Sequence, residues 1–374
     1  MQAADSDDKV PPHVKARTIE NSASPKQSLQ TRGEDGSVSL ASYNPFPIVA
    51  DETPTVPTWV SPAMGSCTEV FPHCNRGPVS VRVRIGQDLM LVAVRWKDAA
   101  ALNAPEFRDA ARTIYEVARG LIDTPRSDAK EGGPTADNAT AQHLVRVWNF
   151  IPSIHEAMGD GMDRYRVFNL GRFEAYESWL GADRFPATLP TATGVGHDGP
   201  DLVVYFLCAK QAGIPLENPR QRPAFEYSRR MGPRPPCFAR ATIIHNRGRP
   251  LMLIGGTASV YGEDSMHPGS LTRQLDETFE NLAVLLAAAD RVVGVEADGR
   301  PLRITHARVY HVHRGDEATA LSAARSRLGE ACVLEAVCAA ICRPELLIEI
   351  EAVATVDGSR VEDARTRDIQ KGAE

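Results

Sequence analysis

Residues 79–208 and 238–353 each carry, in the same direction, a succession of apolar spacings that alternates between the period of a strand and that of a helix. Such a succession constrains the fold more than composition does, because every element so patterned has one apolar face to cover. In the later stretch, residues 238–245 alternate as a strand, Asn246-Arg247-Gly248-Arg249 supplies turn chemistry, and residues 251–254 resume as a strand. Residues 269–290 then place Leu271, Leu275, Phe279, Leu282 and Leu286 at helical spacing. Residues 302–313 predict a strand, 316–328 a short helix, and 332–342 and 346–353 two further strands. The order is ββαβαββ. The earlier stretch shows a similar order: strands at 79–85 and 89–96 around Gly86-Gln87-Asp88, a helix at 104–122 and a strand at 143–150. A helix at 164–180 and a buried strand at 202–208 complete it. The expected fold is α+β, two tandem ββαβαββ units produced by internal duplication, with helices covering one side of each sheet.

The flanks lack this patterning. Residues 1–56 are rich in Ser, Pro, Asp, Lys and Gln, and cannot bury enough surface to offset their chain entropy, so a disordered tail is expected there. Residues 127–138 read as a surface loop and 357–374 as a charged tail. An N-terminal α+β domain over 57–215 and a C-terminal one over 216–356 remain. The net charge of −6 and pI near 6.0 argue against nucleic-acid or membrane-surface partners. No apolar run approaches the roughly 20 residues of a membrane span. The start, MQAADSDDKVPP, has no basic segment followed by an apolar one, so a cytoplasmic protein is expected. Seven cysteines, an odd number with no CxxC pair, fit reduced thiols better than a disulfide framework.

The ending, Arg343-Pro344-Glu345-Leu346-Leu347-Ile348-Glu349-Ile350-Glu351-Ala352-Val353, resembles the closing strand of the reactive-intermediate deaminase superfamily. That resemblance implies the small chorismate-mutase-like α+β unit as the fold. Those deaminases pair the matching glutamate with an arginine of the preceding strand. Here that position falls near Leu334, and no arginine lies between Ala331 and Ile341, which disfavours an ordinary imine deaminase. A narrower resemblance spans residues 140 to 355 and rests on several motifs in order. They are Val147-Trp148-Asn149-Phe150-Ile151-Pro152, Arg164-Tyr165-Arg166-Val167-Phe168-Asn169-Leu170-Gly171-Arg172, Val203-Val204-Tyr205-Phe206 and Glu217-Asn218-Pro219-Arg220-Gln221. Gly232-Pro233-Arg234, Gly255-Gly256-Thr257-Ala258-Ser259 and the Cys342…Glu349 ending follow. In these the chain is similar to the chorismatases, cofactor-free enzymes of secondary metabolism that release pyruvate from chorismate.

Chorismate is a dianion whose ring and pyruvyl unit are joined by an enol ether. Cleaving that ether without a cofactor requires an acid that protonates the enol methylene, and a carboxylic acid can do so near neutral pH only if burial or nearby negative charge raises its pKa. The resemblance implies Glu349 in this role. Period-two geometry puts Glu349 and Glu351 on one strand face and Ile348 and Ile350 on the other. Taken alone, that pattern reads as the solvated face of an edge strand. Two substrate carboxylates call for arginine forks, and Arg166, Arg172, Arg234 and Arg240 are the candidates inside matched motifs. Tyr227 is a candidate hydrogen-bonding partner, and Gly255 with Thr257 offers close backbone approach and a hydroxyl. The branch of the family that aromatises chorismate resembles this chain in its cysteine at Cys342 and glycine at Gly255. These positions imply 3-hydroxybenzoate and pyruvate as products, with Cys342 and Gly255 shaping the pocket and no nucleophilic role for the thiol.

His306, His311 and His313 do not make a metal site by pattern: His306 falls on the opposite strand face, and no HExxH or paired cysteines accompany them. No cofactor and no metal are expected. Hydrolysis to 3,4-dihydroxycyclohexa-1,5-dienoate, mixed hydroxybenzoate products, and a non-catalytic small-carboxylate binder remain the alternatives. The resemblance leaves monomer and trimer both open.

Overall fold

The computed structural model of the chain describes residues 54–70, 77–123, 143–181, 188–294 and 300–356. The loop at 127–138, the tail at 357–374 and all but the last three residues of the expected N-terminal tail lie outside these. Pro54–Val56 were expected in that tail but are packed: the Pro54 carbonyl accepts from Tyr205 Oη at 2.9 Å and Val56 is buried.

A short helix α1 (Val60–Met64) and strand β1 (Thr68–Val70) lead into the first unit, β2 (Val79–Ile85), β3 (Leu89–Trp96), α2 (Ala104–Ile122) and β4 (His143–Pro152). A small hairpin, β5 (Ala157–Gly159) and β6 (Met162–Asp163), precedes α3 (Arg164–Leu180), β7 (Thr191–His197) and β8 (Leu202–Ala209). After β9 (Ile214–Leu216), the second unit contains β10 (Ala241–Asn246), β11 (Arg249–Ala258), the hairpin β12 (Val260–Tyr261) and β13 (Asp264–Ser265), and α4 (Leu271–Val293). It ends with β14 (Leu302–His311), α5 (Glu317–Leu328), β15 (Val333–Cys338) and β16 (Ile348–Val356).

The two sheets run β1-β2-β3-β8-β4-β7 and β15-β14-β16-β11-β10-β9. The duplication is plain in their pairing. In each unit the first hairpin pairs with the last strand, and the strand after the first helix is parallel to the strand after the second. Register shifts occur at matching places, between Leu144 and Arg146 in β4 and between Ile304 and His306 in β14. The strand β7 has no apolar alternation to announce it: Thr191-Ala192-Thr193-Gly194-Val195-Gly196-His197 holds two glycines, and its identity comes from its parallel pairing with β4.

Local chemistry sets the helix boundaries. Asn103 accepts from the Glu106 amide while Glu106 accepts from the Asn103 amide, a capping box that starts α2. Asp163 Oδ1 accepts from the Arg166 amide at 2.8 Å and starts α3. As expected, helices cover one face of each sheet: α2 and α3 over Val147, Ile151, Val204 and Phe206, and α4 and α5 over Ile254, Val309, Ile348 and Ile350. The opposite faces pack on each other. Leu89, Leu91, Trp148, Phe150, Tyr205 and Leu207 of the first sheet meet Ile244, Leu251, Leu253, Tyr310 and Val353 of the second, giving four layers, helix, sheet, sheet, helix. Trp59, Val60 and Met64 fill the same layer.

Candidate active site

Glu349 and Glu351 belong to the inter-sheet face of β16, which is an interior strand flanked by β14 and β11. Both are buried, so the solvated-edge alternative does not describe them. The apolar inter-sheet layer gives way here to a cavity of about 330 Å³, lined by the C-terminal half of the chain and by α3 and β7 of the first unit. Glu349 opens into it with Oε1 unpartnered. Burial, and then the charge of Glu351, raises its pKa to about 8, while Arg146 and Arg240 act in the opposite sense. A buried carboxylic acid that keeps its proton at neutral pH is what protonation of a carbon centre requires.

Gly255 and Gly256 form a bulge in the pairing of β11 with β16. The bulge turns Gly256 towards Glu349: a Cβ there would stand 2.0 Å from Glu349 Oε1. Glycine is thus the residue that leaves room for the acid.

Around this carboxyl the structure brings together Cys342, Arg166, Arg172, Tyr227 and Arg240 of the expected set. The Asp163 cap aims the first turn of α3, with Tyr165 and Arg166, at the cavity, and Arg172 follows two turns on. Arg172 is buried, donates to Asn169 Oδ1 at 2.7 Å, and leaves Nε unpartnered. Arg240 donates from Nη2 to the Arg222 carbonyl at 2.9 Å and to Tyr227 Oη at 2.7 Å. Because arginine can only donate, the Tyr227 hydroxyl keeps its own proton to give to a ligand. Glu217 lies 3.9 Å from Arg240 Nε; burial raises Glu217 to about 7, partly offset by Arg240. Burial, reinforced by Glu349, pushes the Cys342 thiol up to about 12. It is therefore held as a thiol, beside Tyr165, and lacks the thiolate character of a nucleophile.

Three expected residues do not line the cavity. The Arg234 guanidinium stacks on Phe173 at 4.5 Å. Thr257 turns its hydroxyl back to the Gly255 carbonyl at 3.0 Å. Gly255 faces backbone, with a Cβ there only 2.7 Å from the Ala192 carbonyl oxygen, so the glycine lets β11 approach β7 and it is Gly256 that meets the acid.

Several lining residues escaped the sequence reading. Arg343 is a further cation in the wall, anchored by the Glu263 carbonyl at 2.9 Å and Ser265 Oγ at 3.1 Å. It and Tyr165 sit inside quoted motifs, so adjacency to Cys342 and Arg166 was the signal that could have found them. Thr193 and Gly194 come from β7, the strand without a pattern. Cys342 was expected in a strand, but β15 ends at Cys338 and the chain crosses to the first sheet, where the Gly196 amide donates to the Ala340 carbonyl at 2.7 Å. That crossing carries Cys342 and Arg343 over the cavity. Among the described residues no three His, Cys, Asp or Glu side chains converge to hold a metal, and no helix is long and apolar enough to cross a membrane.

The fold and cavity define a class: a duplicated α+β protein with one buried carboxyl facing arginines between its sheets. Residues 133–208 match the family model described as Chorismatase FkbO/Hyg5-like, N-terminal. In these comparisons the chain is similar to chorismatases. It is 35% identical over 221 residues to a chorismatase of Streptomyces rapamycinicus, covering 56% of this chain and 63% of that one. A 3-hydroxybenzoate synthase of Streptomyces hygroscopicus is 35% identical over 218 residues, with the same two coverages. The chain thus spans less than two thirds of the length of these curated relatives. A crystal structure of a chorismatase superposes with a TM-score of 0.61 at 28% identity, covering 74% of this chain and 77% of that one.

Proposed function

We propose that this protein converts chorismate to 3-hydroxybenzoate and pyruvate. The observation that carries the reading is Glu349: a buried carboxylic acid, protonated at neutral pH, with an unpartnered oxygen in a cavity walled by Arg166, Arg172, Arg240 and Arg343. The similarity to a 3-hydroxybenzoate synthase supports the choice of product. The arginines grip the two carboxylates, and Tyr227 donates to a carboxylate or to the ring hydroxyl. Glu349 gives its proton to the enol methylene and leaves an oxocarbenium-like centre. The ring's own hydroxyl captures that centre in place of water. The capturing hydroxyl's oxygen then leaves the ring with the pyruvyl carbon as pyruvate, while the former ether oxygen stays on the ring and takes up the hydroxyl's proton. A ring proton is lost to restore aromaticity and returns to Glu349, so the net reaction consumes no water. Cys342, held as a thiol, shapes the wall beside the ring.

The test is incubation of metal-stripped protein with chorismate, pyruvate being followed by lactate dehydrogenase coupling and ring products by chromatography. Pyruvate with 3-hydroxybenzoate is expected. Glu349→Gln should bind chorismate and lose turnover by about 10²–10⁴-fold. Pyruvate with a non-aromatic diol would overturn the product, and saturable binding without pyruvate would favour a small-carboxylate binder.

A further inference from the structure

Behind Glu349, away from the cavity, Glu351 sits in a closed set of partners drawn from both sheets. Its Oε2 accepts from Arg146 Nη2 at 2.5 Å, Trp148 Nε1 at 3.0 Å and Thr193 Oγ1 at 2.5 Å, and its Oε1 accepts from Tyr310 Oη at 2.9 Å. Arginine and indole can only donate, so this carboxylate is held as an acceptor. Arg146 and Glu351 are each about 2% exposed, an ion pair out of reach of solvent. Such a pair gains little for stability over apolar residues of the same volume. Its place against Glu349 therefore calls for another account.

Thr193 supplies the link. Its Oγ1 accepts from Arg146 Nη2 at 2.6 Å and from the Gly256 amide at 3.1 Å while donating to Glu351. The backbone against which the Glu349 carboxyl rests is thus pinned to the Arg146–Glu351 pair. We propose that Glu351, with Arg146 and Thr193, is a positioning set for the acid: it fixes where the Glu349 carboxyl lies and holds a buried negative charge two residues away that keeps that carboxyl protonated. This rests on the assignment of Glu349 as the acid.

The charged and titratable groups facing Glu349 are Glu351 on its own strand, Tyr310 on β14, Arg146 on β4, Tyr165 on α3, Arg240 ahead of β10 and Cys342 ahead of β16. Arg166, Arg172, Arg343, Tyr227, Glu345 and Asp163 also line the cavity. Glu351 raises the proton affinity of Glu349 and Arg146 lowers it. The sign of each substitution follows. Glu351→Gln removes the anion and leaves the cation, so Glu349 loses its proton at lower pH. Arg146→Met leaves the anion alone, so the proton is held to higher pH.

The experiment is the pH profile of kcat/KM for chorismate, read beside an infrared titration of the protonated carboxyl band that Glu349→Gln identifies. Activity requires protonated Glu349, so its alkaline limb should move down by about one pH unit or more in Glu351→Gln and up in Arg146→Met. The infrared band should follow in both. Limbs and bands that stay at wild-type positions, whatever happens to kcat, would reduce the set to a structural role and overturn the proposal. Each single variant leaves a buried charge unpaired. If neither folds, Glu351→Gln/Arg146→Met, which leaves neither, should show a smaller downward shift, and no shift overturns the proposal. The infrared titration needs no substrate, so a protein inert to chorismate would sink the functional reading and leave this test standing.

Discussion

At Gly256 the whole side chain is one hydrogen, and the neighbouring acid occupies the space a methyl group would take. The Cβ of Gly256→Ala would stand 2.0 Å from Glu349 Oε1 and 2.6 Å from its Cδ, so the carboxyl must turn out of its place. A displacement on the order of 1 Å costs about 10²-fold in a positioned reaction. We expect Gly256→Ala to fold normally, bind chorismate and lose kcat by that order in the pyruvate assay. Near-wild-type kcat would mean that Glu349 does not act from this position. The sequence makes Glu349 legible, because its flanking motif is distinctive, but it points to Gly255 where the geometry points to Gly256. The bulge in β11 explains the difference: an extra residue exchanges which glycine faces which sheet, and nothing in Gly255-Gly256 itself says where the bulge begins. Glu351 shows the same limit. Period two puts it on the Glu349 face, but whether that face meets water or a second sheet depends on residues far away in the chain, such as Arg146 and Trp148.

Among the elements, α3 bears most on the site, since Tyr165, Arg166 and Arg172 all reach the cavity from it. Its position is set by α2. Gly171 lies where the two helices touch, and a Cβ there would come within 2.2 Å of the Arg108 carbonyl oxygen and 2.9 Å of the Arg112 amide nitrogen, both backbone atoms that cannot turn aside. Gly171→Ala should therefore push α3 off α2. Overpacking of this kind costs about 1–3 kcal/mol, so Tm should fall by several degrees in calorimetry, and KM for chorismate should rise because Arg172 is the next residue along the helix. An unchanged Tm would show that the helices separate freely. Both helices are legible in sequence to the residue, at 104–122 and 164–180: each starts at a polar cap, Asn103 or Asp163, and α2 adds an apolar stripe through Phe107, Ala111 and Tyr115. The strand β7 and the crossing after Cys338 are not, since each is held by pairing with distant backbone rather than by any pattern of its own.

For the molecule as a whole, the duplication explains the element order, and the sheet-on-sheet packing explains why one cavity can be both buried and polar. Each sheet has helices on one face only, so the other face of each has an apolar surface to cover, and each covers the other. The ties across this layer are specific as well as apolar. Arg308 of the second sheet binds Glu335 and donates to the carbonyls of Thr55 and Val56, while Tyr205 of the first sheet donates to Pro54, so one short segment is held by both. Trp59 then packs on Trp148 with ring centroids 6.0 Å apart. An isolated second unit would have to present Ile244, Leu251, Leu253, Tyr310 and Val353 to water, together with a Glu351 stripped of Arg146, Trp148 and Thr193. Neither unit should then be stable without the other, and thermal unfolding of the full chain should be one cooperative transition, with calorimetric and van't Hoff enthalpies equal. Residues 216–356 produced alone should bind a hydrophobic dye and show no cooperative melt. Two resolved transitions would mean that each sheet can bear an uncovered face, and the cavity would then be a junction between independent bodies instead of a gap in a shared core.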